Sequence, residues 1–73
     1  MKPEQIRIRN LREDNDMTQS QVAKILNKSQ QGYDHLENGR ADLSVDDLRS
    51  LCKYYKVSAD YIIGLIDTPR PLD

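Results

Sequence analysis

Two adjacent glutamines, Gln30 and Gln31, followed at helical spacing by Asp34 and His35, are the residues of this chain whose types and spacing could do chemistry. A glutamine amide carries a donor and an acceptor in one plane and can pair bidentately with the N6/N7 edge of adenine. Two of them at a helix start sit where a helix lying in the major groove touches bases. Other chemistry is poorly provided for. His35 is the single histidine and Cys52 the single cysteine. No nucleophile–base arrangement, no Cys/His metal cluster and no internal disulfide can be assembled from them. An enzyme, a metal site and a cofactor are therefore not expected.

The elements that must position these residues follow from caps and periodicity. Thr18 is a good N-cap with Gln21 three residues later, as in a capping box. Val22, Ala23, Ile25 and Leu26 then supply the apolar face of a helix over roughly 18–26. Asn27 tolerates the left-handed backbone that a sharp interhelical turn demands. Ser29 caps the next helix, which runs to about Leu36, and Asn38-Gly39 ends it. Gly32 inside that helix costs about 1 kcal/mol relative to Ala. A small residue there permits close approach either to DNA or to a neighbouring helix, and the sequence leaves both open. Ala23 is small where the two helices must cross, and Val22, Leu26, Tyr33 and Leu36 lock the pair onto the body. Two short helices, a tight turn and a polar outer face are the layout of a helix-turn-helix, in which one helix braces and the other enters the major groove.

The flanking chain reads as helix too. Pro3 suits a first helical turn, and Ile6, Ile8 and Leu11 predict a helix over 4–14, stopped by Asp14-Asn15-Asp16. Ser44 caps a fourth helix whose stripe is Leu48, Leu51, Cys52 and Tyr55. Cys52 on that stripe reads as a small buried hydrophobe. Ser58 caps a short fifth helix carrying Tyr61, Ile62 and Leu65, with Gly64 near its end. The expectation is one all-α, five-helix domain over residues 1–66 and an extended or loose tail over 67–73, where two prolines fall in seven residues.

Composition limits the partners. The chain of 73 residues carries a net charge of −1, so a broad basic face for nucleic acid is excluded. The charge is uneven: residues 18–40 hold Lys24, Lys28 and Arg40 against Asp34 and Glu37, whereas residues 41–73 are acidic on balance. Any DNA contact must be local. No apolar run approaches the roughly 18 residues that span a bilayer, and the charged N-terminus lacks the apolar stretch of a signal peptide. Together with a lone cysteine this suits a cytoplasmic protein and no membrane partner.

Residues 8–66 resemble the Xre family, the Cro- and phage-repressor-like helix-turn-helix domains. The resemblance rests on LRED-x-D-x-TQ at 11–19, SQQ at 29–31, Y-x-x-L-E-N-G-R at 33–40 and VSADYIIGL at 57–65. It implies a five-helix, lambda-repressor-like fold and a sequence-specific double-stranded DNA-binding transcriptional regulator, a repressor by occlusion. It implies that Gln30, Gln31 and His35 face bases, with Asp34 at the edge. Gln19 would touch a phosphate, and Asn38 and Arg40 would reach the DNA backbone; Ser29 and Lys28 at the turn are further candidate phosphate contacts beside these. Arg12 and Glu37 match a buried ion pair that ties the first helix to the end of the third. Two positions depart from the family pattern. Lys28 stands where many members carry an apolar residue, so that corner is either looser or a phosphate contact. Asp34 puts a negative charge near DNA and should weaken binding or reject some sequences.

One short recognition helix covers only a few base pairs, so a homodimer on a pseudo-palindromic operator is expected. Its seam would be the last helix. Ile62 and Leu65 suit the core, which leaves Ile63 and Ile66 exposed, three apart on one face. The alternative is a protein-interaction module, such as an antitoxin with a protein partner, in which DNA binding is secondary. The acidic balance and Asp34 favour that alternative slightly.

Overall fold

Three of the five helix starts in this chain are fixed by hydroxyl side chains that take up free backbone N–H groups. The computed structural model describes residues 1–71 and places five helices in order: α1 (Pro3–Asp14), α2 (Gln19–Ile25), α3 (Gln30–Glu37), α4 (Val45–Tyr55) and α5 (Ala59–Ile62). Thr18 Oγ1 accepts from Gln21 N at 3.1 Å while Gln21 Oε1 accepts from Thr18 N at 2.8 Å, the reciprocal box expected from the sequence. Ser29 Oγ accepts from Gly32 N at 3.0 Å and Ser44 Oγ from Asp47 N at 3.1 Å. Ser58 differs. It occupies the N-cap position of α5, but its hydroxyl makes no cap bond and is buried without a partner. Its backbone N–H donates instead to Arg70 O at 2.8 Å.

The turns are equally specific. Asn27 takes φ 58° between α2 and α3, as its type allows, and Gly39 takes φ 84° after α3. A Cβ placed on Gly32 would meet only Ser29 Oγ, at 3.2 Å. No neighbouring helix approaches Gly32, so that half of the sequence expectation falls away.

The core joins Ile8 and Leu11 of α1, Val22 and Ala23 of α2, Tyr33 and Leu36 of α3, Leu51 and Cys52 of α4, and Tyr61 and Ile62 of α5. These are the positions the periodicity placed inside, and their burial is the main favourable term for so small a domain. Among the described residues no helix is long and apolar enough to cross a membrane.

The end of the chain corrects the sequence expectation. Helix α5 stops at Ile62, and Gly64 turns the chain at φ 88°, so helical phase does not carry through to residue 66. Leu65, expected in the core, is 71% exposed, and Ile66, expected outside, is half-buried against the core. Ile63 is exposed as expected. The tail is extended but pinned: Val57 and Pro71 form an antiparallel bridge, and Arg7 Nη1 donates to Asp67 O at 3.3 Å. Leu72 and Asp73 lie outside the described residues.

Candidate nucleic-acid interface

Helix α3 has two faces because Tyr33 and Leu36 are drawn inward. Tyr33 is wholly buried and Leu36 nearly so, which turns Gln30, Gln31, Asp34 and His35 the other way. Gln30 and Gln31 are exposed, and Asp34 and His35 are half-buried. Gln19, Gln30, Gln31 and Asp34 line one open polar cleft of about 520 Å³ between the starts of α2 and α3. Three of the four base-facing residues expected from the sequence thus meet at one cleft, with His35 on the following part of the helix.

The side chains around the cleft are tied together. Gln19 Nε2 donates to Asp34 Oδ1 at 2.8 Å and to Glu37 Oε1 at 3.2 Å. Both N–H groups of its amide are therefore engaged within the chain. A phosphate can draw on them only by displacing a carboxylate. Asn38 Nδ2 donates to Asp34 Oδ2 at 3.0 Å, and Asn38 Oδ1 accepts from Arg40 N at 3.2 Å. Asn38 is thus an organiser of the turn after α3. Arg40 is exposed, and its guanidinium has no ion-pair partner among the described residues. Ser29 is exposed, with its hydroxyl accepting the helix cap.

Lys28 leaves this corner braced rather than looser. Its ammonium lies 3.2 Å from Asp47 Oδ2, so it fastens the α2–α3 turn to α4. The corner is braced across the fold, which the residues of the turn alone do not reveal.

Beneath the cleft lies the ion pair. Arg12 Nε and Nη2 reach Glu37 Oε2 and Oε1 at 2.7 and 3.1 Å, a bidentate pair, and Arg12 Nη1 donates to Met17 O at 3.0 Å. The Glu37 side chain is fully buried and that of Arg12 is 16% exposed. Burial by itself pushes the Glu37 carboxyl up, but hydrogen bonds, above all those from Arg12, outweigh it and hold the group below its ordinary 4.5. The buried Tyr33 hydroxyl beside it is pushed far above its ordinary 10, first by burial and then by the Glu37 carboxylate. Arg9 was not expected here, yet its Nε lies 3.5 Å from Glu37 Oε1. Its spacing of three from Arg12 on the same helix was the available signal.

Comparison with known proteins agrees with this geometry. A family model described as helix-turn-helix matches residues 8–62, which covers α2, α3 and most of the remaining core. The chain belongs to this helix-turn-helix family, of Xre type. A helix-turn-helix relative from Bacillus subtilis (strain 168), named the uncharacterized HTH-type transcriptional regulator YobD, is 35% identical over 65 residues. The match takes in 89% of this chain and 58% of that relative, so the chain spans under two thirds of the relative's length. No solved structure matches. Within the helix-turn-helix, α2 is the bracing helix and α3 the helix whose outer face is polar. Five helices without a β-strand among the described residues complete the all-α fold expected for the family.

Proposed function

We propose that this chain is a sequence-specific double-stranded DNA-binding transcriptional regulator, a repressor that reads the major groove with α3. The observation that carries the reading is the division of α3. Gln30 and Gln31 stand exposed at its start, while Tyr33 and Leu36 anchor the opposite face. Membership of the helix-turn-helix family and the regulator name of the Bacillus subtilis relative support it. Arg40, Lys24 and the Ser29 corner supply polar and cationic groups around that face for phosphates. A DNA target is in keeping with a cytoplasmic location.

The functional unit is a homodimer on inverted half-sites. Apolar surface for it is offered by exposed Ile63 and Leu65 after α5 and by exposed Val45 at the start of α4, which with Leu48, Arg49, Cys52 and Ala59 lines a groove of about 270 Å³. Ile66 packs against the core and is replaced by Leu65 in the proposed seam. The same groove would serve a protein partner in the antitoxin-like reading, where DNA binding is secondary.

Selection of bound duplex from a random library, followed by salt titration, tests the proposal. A pseudo-palindromic motif with half-sites one helical turn apart and affinity that falls with salt is the expected result. No binding to any duplex at about 50 mM salt overturns it in favour of the protein-interaction reading.

A further inference from the structure

We propose that Asp34 fixes base identity at one position of each half-site by requiring a major-groove amino donor, cytosine N4 before adenine N6. The inference rests on the DNA-binding reading above and adds the chemistry of the base selected. Asp34 lies four residues after Gln30 and three after Gln31, so it sits on the same side of α3, one turn along. All three line the same cleft, and a duplex seated on the glutamines brings its next base pairs past Asp34.

A carboxylate on a DNA-facing surface is ordinarily free to swing away from a base it opposes. Asp34 is not. Its Oδ1 accepts from Gln19 on α2 and its Oδ2 from Asn38 at the end of α3, at 2.8 and 3.0 Å. Each oxygen keeps acceptor capacity after one such bond, and an ionised carboxylate has nothing to donate. The group is thus a fixed acceptor, with no cation paired to it among the described residues. Cytosine presents a lone donor in the major groove, N4, and suits it best. Adenine offers a donor beside an acceptor and comes second. Guanine O6 and N7 and thymine O4 set acceptor against acceptor, and the clamp prevents the relaxation that would soften the clash.

The test is selection from a random duplex library with the full chain, followed by competition titrations on single-base variants of the selected site. The wild type should favour cytosine over guanine by about tenfold at one position per half-site. Asp34→Asn, nearly the same shape but able to donate as well as accept, should level that position and leave the others intact. Asp34→Ala should level it as well. Asn38→Ala, which frees one carboxylate oxygen and also loosens the turn that holds Arg40, should blur base preference at the same position, together with any uniform loss of affinity from the backbone contacts. Thermal melts show which variants are folded, and a single folded Asp34 variant is enough to decide the matter. An Asp34 variant profile identical to wild type, or one weakened equally at every position, overturns the proposal while the DNA-binding reading stands. A wild type that selects no duplex overturns that reading and this proposal with it.

Discussion

Gln19 donates its amide to Asp34 across the α2–α3 junction at 2.8 Å, and the same nitrogen reaches the buried Glu37 at 3.2 Å. One uncharged side chain therefore joins the carboxylate that fronts the cleft to the carboxylate that anchors the fold. The angle between the two helices is held by polar geometry as well as by the packing of Ala23 and Tyr33. Hydrogen bonds to charged acceptors are worth about 1.5–3 kcal/mol each. Gln19→Ala should lower unfolding free energy by roughly that much in urea titrations, and Gln19→Glu by more, because it adds a third carboxylate to the pair. A Gln19→Ala protein with the wild-type urea midpoint would refute the structural role.

Arg12 and Glu37 form a pair that one partner alone does not replace. Arg12→Met or Glu37→Met leaves a charge buried or nearly so, at an expected cost of about 3–5 kcal/mol. The double variant removes both charges and should recover a large part of that loss. Double-mutant-cycle analysis of chemical denaturation measures the coupling, and strictly additive losses would contradict the pairing.

Acid should expose the same pair. The Glu37 carboxyl lies below its ordinary 4.5 in the folded chain, so the folded state releases its proton more readily than the unfolded state. Its stabilising contribution is complete above that ordinary value and is lost as pH falls through the lowered native value. Urea midpoints of the wild type, followed downward from about pH 5, should fall more steeply than those of Glu37→Gln. Parallel curves would show that Glu37 carries no such linkage.

Much of the fold was legible because its signals are local. Thr18 with Gln21, Asn27 and Ser29 each act within a few residues, and each does in the structure what its type predicts. The outward set on α3 was legible for the same reason, since helical spacing alone separates Gln30 and Gln31 from Tyr33 and Leu36. What stayed hidden is long-range or depends on phase. The ties Lys28–Asp47 and Gln19–Asp34 join different helices, and sequence spacing does not encode them. The exchange of Leu65 and Ile66 arose because the helical period was carried past Ile62, where Gly64 breaks it. The Ser58 hydroxyl went astray for another reason: the tail returns through Arg70 to pair with the residue's backbone.

Gln30→Ala and Gln31→Ala should each cost about 1–3 kcal/mol on the preferred operator and relax one base position. Thermal stability should hardly change, since both side chains are exposed. If the selected motif survives loss of both glutamines, α3 is not the reading helix.

Ile63→Asp with Leu65→Asp should leave the monomer folded, because both side chains lie outside the core. Operator binding should weaken strongly, and sedimentation of protein on its operator should shift from two chains per full site toward one. Equal affinity and unchanged stoichiometry in the double variant would remove this surface from the dimer seam.

The division of α3 into an anchored face and an open face bears on how such a protein diverges. Gln30 and Gln31 contribute nothing to the core, so on the proposed reading new side chains there would alter target preference with little effect on folding. Asp34 has no such freedom. Its carboxylate is the acceptor for amides from two other positions, and a change there strands Gln19 and Asn38 at once. A change at residue 34 must therefore be matched at residues 19 and 38, a constraint that the two glutamines ahead of it do not share.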